Sequence, residues 1–233
     1  MGLLTIGNNI QMYYPDGYDK VDKYGDQLLN DGLYHGVDLI KEGVTFKNSL
    51  LIDAGAYVGW FTHWALLQGV SSVLAFEPLA KNFVCLHNNL KKHNWQNTHV
   101  FPYALVDTPK ILGMHGLGQK STIIELPSNQ SFSDATVGMS IDAFHLDESD
   151  PLIIKMDVEG SESLLIKGAA NLLSQRVAEK RDTTLIICVY HYTDQCADVK
   201  KLIQEYTGNK FSYKEVGSID NNTALLICGG GVD

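Results

Sequence analysis

Arginine is almost absent from this chain of 233 residues, in which Arg176 and Arg181 are the only two. Bidentate arginine contacts to phosphates or carboxylates are therefore nearly unavailable, which disfavours a polyanionic ligand. Lysines are scattered along the chain and the formal net charge is -9, so the sequence has no basic stripe of the kind that binds a nucleic acid backbone. We expect no nucleic acid partner.

Cysteine is scarce and never occurs as a C-x-x-C pair. The four cysteines are Cys85, Cys188, Cys196 and Cys228. Their spacing disfavours a zinc knuckle or a redox-active dithiol and is typical of free thiols in a reducing compartment.

Long apolar runs are missing as well. The longest, at about residues 50–67, is interrupted by Asp53 and His63, so no transmembrane helix is predicted. The opening MGLLTIGNN is too short for the apolar core of a signal peptide, and Ile6 stands where N-myristoylation prefers serine or threonine. We therefore expect a cytoplasmic protein without a membrane span.

Apolar runs of strand length alternate with segments of helical periodicity from residue 50 to about 206. The strand-like runs are 50–53, 72–77, 99–105, 152–158 and 184–191. Two β-rich runs, 210–217 and 223–230, follow and are joined by the turn-prone SIDNNT. This pattern predicts a doubly wound, Rossmann-like α/β fold with five parallel strands and a terminal antiparallel hairpin. Seven strands so arranged are typical of class I methyltransferases and differ from the all-parallel dinucleotide-binding sheet.

Three regions are expected along the chain. Residues 1–47 are predicted to form a helical lead-in, and residues 48–233 one α/β domain. Residues 106–150 fit the alternation poorly and contain a polar, glycine-rich segment. Long insertions of this kind often bind substrate, so we predict that this one lies on the substrate side of the site.

The first β-α turn, DAGAYVG at residues 53–59, has the spacing of a ligand-binding loop. In a doubly wound sheet this turn lies at the ligand site. A dinucleotide site requires G-x-G-x-x-G, whereas here Asp53, Gly55 and Gly59 give D-x-G-x-x-x-G. A helix beginning near Tyr57 would offer free N–H groups to a carboxylate. The spacing therefore favours a ligand with an amino acid portion and no pyrophosphate.

S-adenosylmethionine is a ligand with these properties. Its ammonium could be reached from Asp53, its carboxylate could meet the helix N-terminus, and its ribose diol requires an acid at the end of the second strand. Glu77, in AFEP, occupies that position. Asp53 taken alone could equally be a helix N-cap. Asp53 and Glu77 together favour the cofactor.

Acidic and imidazole side chains follow the fourth and fifth strands. Asp157 and Glu159 lie in MDVEG, and His191 ends VYH. The three could deprotonate a substrate hydroxyl; alternatively, Asp157 caps the following helix and Glu159 pairs with a lysine. No H-x-x-x-H or carboxylate triplet is present, so no metal site is predicted. His35 and the remaining histidines are expected to be surface or core residues.

These motifs together resemble the FkbM-type methyltransferases, S-adenosylmethionine-dependent enzymes that mostly methylate hydroxyl oxygens of sugars and natural products. The matching stretches are LIDAGAYVGWFT, AFEPLAKNFVCLHNNLKKHN, YALVD, MSIDAF, IIKMDVEGSESLLIKGA and VYHYTDQ. The predicted cofactor-binding residues are Asp53, Gly55, Tyr57, Gly59, Glu77, Pro78, Ala104 and Asp157. Tyr57 stands where the family usually has asparagine. The resemblance implies that residues 48–233 are a methyltransferase domain.

We therefore predict a methyltransferase that transfers a methyl group from S-adenosylmethionine to a hydroxyl of a sugar, glycan or small molecule, with Asp157, Glu159 and His191 as the catalytic residues. Two alternatives stay open. One is an NAD-dependent oxidoreductase, and the other is a non-catalytic binding module that keeps the cofactor pocket and holds a partner with residues 106–150.

Overall fold

Near-continuous aliphatic runs form the middle strands of the protein. The computed structural model describes residues 1–17, 23–115, 122–125, 134–144, 146, 151–220 and 222–230. In chain order the elements are β1 (Gly2–Ile6), β2 (Ile10–Tyr14), α1 (Lys23–Asp31), β3 (Leu50–Ala54), α2 (Trp60–Leu67), β4 (Ser72–Phe76), α3 (Ala80–His93), β5 (Thr98–Phe101), β6 (Tyr103–Leu105), β7 (Lys110–His115), β8 (Thr122–Glu125), β9 (Ala135–Met139), a 3-10 helix (Ile141–Ala143), β10 (Leu152–Met156), α4 (Glu162–Lys167), α5 (Ala170–Ala178), β11 (Thr183–Cys188), α6 (Gln195–Thr207), β12 (Ser212–Ile219) and β13 (Asn222–Gly230). The strands LLIDA and LIIKM are buried at every position, as expected for strands covered on both faces.

Seven strands form the main sheet in the order β12-β13-β11-β10-β3-β4-β5. The five strands from β11 to β5 run parallel, while β13 is antiparallel to β11 and β12 is antiparallel to β13. The predicted seven-stranded, doubly wound sheet with a terminal antiparallel hairpin is therefore confirmed.

Side chains of the central strands alternate between two apolar cores. Leu51 of β3 packs in a core with residues of β1, β2 and α1 to α3, whereas its neighbours Leu50 and Ile52 pack in a second core with α4 to α6. This alternation follows from the two-residue period of a strand. It directs the next residue of the first face, Asp53, toward α2.

The N-terminal region differs from the predicted helical lead-in. Among the described residues of this region, 1–17 and 23–47, the structure has the antiparallel hairpin β1-β2 and the helix α1. The hairpin loop contains Gly7 and Asn9, both with positive φ, and glycine and asparagine adopt that conformation most readily. The turn-prone GNN between two apolar runs is the feature of the sequence that indicates this hairpin. The domain boundary at residue 48 stays a prediction.

Pro102 divides residues 99–105, which the sequence predicts to form a single strand, the third in the sheet. Proline lacks the N–H that would continue the ladder, so β5 ends at Phe101 and pairs with β4, while β6 joins a separate four-stranded sheet in the order β6-β9-β7-β8. Three strands of this second sheet, β7, β8 and β9, lie within the predicted insertion, 106–150. Residues 116–121, 126–133, 145 and 147–150 lie outside the described residues.

Across the part of the chain that the structure describes, no helix combines the length and the apolar content that crossing a membrane requires.

Candidate active site

A cavity of about 330 Å³ lies at the carboxyl ends of the central parallel strands. Residues within two positions of four strand ends line it: Gly55 after β3, Glu77 after β4, Asp157 after β10 and Tyr190 after β11. Ligands of doubly wound sheets bind at this edge, where the strand order reverses. In this sheet, β3 lies at the reversal, between β10 and β4.

The turn after β3 is held close to the turn after β10. Gly55 has a φ of 74°, and a Cβ atom at this position would lie 1.9 Å from the carbonyl oxygen of Asp157, so only glycine fits here. The Gly55 N–H donates to the carbonyl oxygen of Phe76 at 3.0 Å. Helix α2 begins at Trp60 rather than near Tyr57, and the Tyr57 N–H is already used, because it donates to Glu77.

Glu77 is buried at the cavity wall and organises this turn. Its Oε2 accepts the Tyr57 N–H at 2.9 Å, and its Oε1 accepts the Leu79 N–H at 3.0 Å and the Asn82 side-chain amide at 3.2 Å. Burial raises the pKa of Glu77 to about 7, against the lowering effect of these hydrogen bonds. A carboxylate facing the cavity at the end of the second parallel strand is the feature that the sequence predicted.

Asp53 does not line the cavity, contrary to the prediction that it binds the cofactor. Its side chain is fully buried, with Oδ1 3.0 Å from Lys155 Nζ and Oδ2 accepting the Thr62 hydroxyl at 2.7 Å. Asp53 and Lys155 are directly opposite in the β3-β10 register, so both point to the same face. Lys155 also donates to the carbonyl oxygen of Gly55 at 2.9 Å. Asp53 therefore acts on the turn through Lys155.

Sequence reasoning missed Lys155, although it left a signal. A lysine in the middle of an otherwise aliphatic strand, LIIKM, is almost never buried without a partner. Burial alone would lower the pKa of Lys155, but the negative charges of Asp53 and Asp157 outweigh this effect and raise it. The lysine is therefore a buried cation directly beneath the cavity.

Gly59 also lies away from the cavity, contrary to its predicted cofactor contact. It precedes α2 with a φ of 92°, and a Cβ atom there would lie 2.6 Å from the Trp95 ring and 2.7 Å from Leu86. Gly59 therefore allows α2 to pack closely against Leu86 of α3 and against Trp95. The other predicted cofactor residues, namely Gly55, Tyr57, Glu77, Pro78, Ala104 and Asp157, line the cavity, and their roles stay predictions.

Asp157 is held by two residues from the N-terminal region. Its Oδ2 accepts the Tyr34 hydroxyl at 2.9 Å and lies 3.4 Å from Nε2 of His35. Burial alone would raise the pKa of Asp157, but the hydrogen bond from His35 and the charge of Lys155 outweigh burial and hold the pKa well below its usual range. His35 is buried, as expected for a core residue, and it also lines the cavity. No local pattern in LYHG indicates this contact.

The three predicted catalytic residues converge in the cavity. Nε2 of His191 lies 3.7 Å from Asp157 Oδ1 and 3.7 Å from Glu159 Oε2. Burial lowers the pKa of His191, although the charge of Asp157 acts in the opposite direction, so the ring is neutral near pH 7. One ligand atom from each of the three lies within 4.8 Å of the others, a proximity that the prediction of no metal site did not anticipate.

Glu162 supports this cluster from beneath and was also missed. It is fully buried, its Oε1 accepts the backbone N–H of Val158 at 3.0 Å, and its Oε2 accepts the Gln195 side-chain amide at 2.6 Å. Burial raises the pKa of Glu162 to about 8, in spite of the backbone hydrogen bonds. Its place in DVEGSE, five residues after Asp157, was the available signal.

The opposite wall of the cavity is apolar. The side chains that form it come from the ends of β4 and from the second sheet, and they are Phe76, Pro78, Tyr103, Ala104, Leu105 and Ile123. Ile123 belongs to β8, within the predicted insertion 106–150. The substrate-side role of that insertion stays a prediction.

Comparison with known proteins agrees with this geometry. A model of the FkbM methyltransferase domain matches residues 53–212. The structure of the FkbM methyltransferase from Methylobacillus flagellatus has a TM-score of 0.63 and 19% identity, covering 89% of this chain and 55% of that one, so this chain spans little more than half of that protein.

Other solved structures are more distant. The precorrin-6y C5,15-methyltransferase of Geobacter metallireducens has a TM-score of 0.49 and 12% identity, over 95% of this chain and 94% of that one. A candidate methyltransferase from Streptococcus mutans, in complex with SAH, has a TM-score of 0.46 and 14% identity, over 79% and 89%. The curated proteins gave no match.

These matches support neither the oxidoreductase alternative nor the non-catalytic one. The domain match spans most of the chain, and the fold that was predicted is the one the structure has. The chain therefore belongs to the FkbM methyltransferase family.

Proposed function

We propose that this family member is an S-adenosylmethionine-dependent enzyme that methylates a hydroxyl oxygen of a sugar, glycan or small molecule. One observation carries the proposal. Glu77 and the cluster of Asp157, Glu159 and His191 line the same cavity of about 330 Å³. A carboxylate suited to a ribose diol and groups suited to a reacting hydroxyl thus face the same cavity.

The cavity wall near Glu77 fits the nucleoside part of the cofactor. The carboxylate can accept hydrogen bonds from both ribose hydroxyls, which favours its ionised form. Phe76, Pro78 and Leu105 line the cavity nearby, and apolar side chains of this kind pack against a purine ring. The ammonium that was assigned to Asp53 has to find another acceptor, because Asp53 is buried beneath the turn.

Methyl transfer to oxygen makes limited chemical demands on the protein. S-adenosylmethionine supplies a methyl group on a positively charged sulfur. Transfer breaks the S–CH3 bond as the O–CH3 bond forms, so holding the acceptor oxygen in line supplies most of the rate. The hydroxyl proton passes to the Asp157, Glu159 and His191 cluster. Within it the neutral imidazole of His191 is a stronger base than Asp157, whose pKa is held low.

Calorimetric titration tests the cofactor. Wild-type protein should bind S-adenosylmethionine and should not bind NAD. Glu77→Gln keeps the size of the side chain and removes its charge, so S-adenosylmethionine affinity should fall by about tenfold or more through the loss of charge-assisted hydrogen bonds. Glu205→Gln makes the same change at an exposed site on α6 and should bind as wild type does. NAD binding, or equal affinity in Glu77→Gln, contradicts the assignment.

Transfer of a labelled methyl group tests the acceptor. Wild-type protein with methyl-labelled S-adenosylmethionine is incubated with a library of sugars, glycans and hydroxylated small molecules, and products are separated by mass. The expected product is a methyl ether, which resists mild base. Label on nitrogen or carbon, or label released by mild base as from a methyl ester, argues against hydroxyl methylation while leaving cofactor binding intact.

A further inference from the structure

Three ligand atoms of the active-site cluster face one another. They are Oδ1 of Asp157, Oε2 of Glu159 and Nε2 of His191, with the imidazole nitrogen 3.7 Å from each oxygen. Metal bonds of about 2.1 Å place neighbouring ligand atoms roughly 3 to 3.7 Å apart. The two nitrogen-to-oxygen separations of 3.7 Å lie at the upper end of this range, and all three atoms lie within 4.8 Å of one another.

His191 is buried without satisfying its ring nitrogens. Its side chain is 9% exposed, and neither nitrogen makes a hydrogen bond. Nδ1 lies 3.4 Å from Oε1 of Glu162, and that oxygen accepts backbone N–H groups of Val158 and Gly160. An acceptor beside Nδ1 favours the tautomer with the proton on Nδ1. The lone pair of Nε2 then faces Asp157 and Glu159.

This arrangement is the one that surrounds metal-bound histidines in general. A ligating imidazole commonly turns its second nitrogen toward a carboxylate, which fixes its tautomer and orientation. Oε1 of Glu162 lies 3.4 Å from Nδ1 in this position, and Gln195 holds the other oxygen of Glu162 at 2.6 Å.

The two carboxylate oxygens of Asp157 have different surroundings. Oδ2 is engaged by Tyr34 and His35, whereas Oδ1 is buried and makes no hydrogen bond. A cation placed among two carboxylate oxygens and an imidazole lone pair would be attracted by all three. Glu159 reaches the cluster from a positive φ of 54°, a conformation that is costly for a residue with a side chain.

The geometry points to a divalent-cation site formed by Asp157 Oδ1, Glu159 Oε2 and His191 Nε2. Two oxygens and one nitrogen suit a first-row transition ion such as Mn²⁺ better than Ca²⁺, which prefers six to eight oxygens, or Mg²⁺, which rarely takes imidazole. Three protein ligands leave coordination positions open toward the cavity.

The open positions suggest a class of acceptor, an inference that rests on the proposed function. With the ion bound, Nε2 of His191 is no longer a base, so this route replaces the proton transfer to the ion-free cluster. The ion makes a bound hydroxyl more acidic, and the proton passes to water in the cavity as the O–CH3 bond forms and the S–CH3 bond breaks. Two adjacent open positions suit two neighbouring oxygens. A vicinal diol, as found in sugars, is therefore the favoured acceptor.

Titration with Mn²⁺ tests the site directly. Metal-free full-length protein is titrated with MnCl2 in the absence of S-adenosylmethionine and acceptor, and free Mn²⁺ is measured by its electron paramagnetic resonance signal. We expect one bound ion per chain, with weaker binding of Mg²⁺ and Ca²⁺ in competition. Because neither cofactor nor acceptor is present, this result is independent of whether methyl transfer goes to a hydroxyl.

Two ligand variants and one control locate the ion. Glu159→Gln and His191→Asn should each weaken Mn²⁺ binding at least tenfold, whereas Glu205→Gln, which removes the same charge as Glu159→Gln from the exposed face of α6, should not change it. Circular dichroism verifies that each variant is folded. Absence of Mn²⁺ binding to the wild type up to millimolar concentration, or equal binding in wild type and folded Glu159→Gln, overturns the site.

Discussion

Two carboxylates two steps apart in the sheet register have opposite surroundings. Asp53 is opposite Lys155 within the β3-β10 ladder and is fully buried. Asp157 follows the end of β10, next to Gly55 of the neighbouring strand, and its Oδ1 faces the cavity cluster. Both acids are near the end of a parallel strand, but only the one beyond the last ladder pair reaches the cavity.

The difference shows what an acid at a strand end does. Asp53, inside the ladder, is paired with the buried cation Lys155 below the cavity. Asp157, beyond the ladder, is held by Tyr34 and His35 through Oδ2, and its Oδ1 faces the cavity. The position of the acid relative to the last ladder pair thus decides whether it is buried below the cavity or lines it. Variants of both regions test this separation.

Removing the buried cation should have the largest effect. Lys155→Met leaves Asp53 as an uncompensated buried charge and should lower the free energy of unfolding by about 3–5 kcal/mol, measured by chemical denaturation. Lys201→Met, at an exposed position of α6, should change it by less than about 0.5 kcal/mol. Near-equal stability of Lys155→Met and wild type would mean that Asp53 does not depend on this ion pair.

The buried acid after β4 should make stability depend on pH. An unfolded glutamate loses its proton near pH 4.5, whereas Glu77 keeps it to about pH 7, so the unfolded state gains from deprotonation between these values. Stability should fall by roughly 3 kcal/mol as pH rises through this window. Glu77→Gln should remove that part of the slope. The measurement is the free energy of unfolding at several pH values from 4 to 8, and an unchanged slope contradicts the raised pKa.

The contact between the two turns should be intolerant of a methyl group. Gly55→Ala places Cβ 1.9 Å from the Asp157 carbonyl oxygen in a backbone with positive φ, and about 2–3 kcal/mol of stability should be lost. Gly43→Ala is the matched control, because its φ is also positive and nothing lies within 4 Å of the added carbon. It should cost about 1 kcal/mol. Equal losses in thermal denaturation would show that the turns can separate.

The cavity acid should have a smaller effect on stability, with the opposite pH dependence. The pKa of Asp157 is lowered from 3.8, so its charge stabilises the fold above that pH and this contribution disappears as pH falls. Asp157→Asn should be less stable than wild type by about 2 kcal/mol at pH 7, and the difference should shrink below pH 4. Asp31→Asn, an exposed change, gives the baseline. A constant difference from pH 7 to pH 3 contradicts the assignment.

The sequence predicted the sheet and the acids that line the cavity because both depend on local patterns. Aliphatic runs, helical periodicity and terminal turn residues are properties of short segments. Glu77, Asp157 and His191 directly follow such runs, and Glu159 comes shortly after Asp157. The hairpin β1-β2 was missed through an unused turn signal, GNN, rather than through a lack of information.

The partners of the acids could not be predicted in the same way. Lys155 pairs with Asp53 across about 100 positions, and Tyr34 reaches Asp157 across 123. Such pairs depend on strand register and on how the N-terminal residues pack, which spacing along the chain does not encode. The misplacement of Asp53 has the same origin, because two positions along the strand separate this buried residue from the residues that line the cavity.

Because Tyr34 and His35 contact Asp157, the residues around the cavity come from two different parts of the chain. Both residues precede the segment that the family match covers, 53–212, whereas Gly55, Glu77 and Asp157 lie within it. A chimera that carries residues 1–47 of another family member would keep Gly55, Glu77 and Asp157 and exchange the two groups that orient Asp157. The orientation of one cavity carboxylate can therefore be varied from outside the segment that supplies the carboxylate itself.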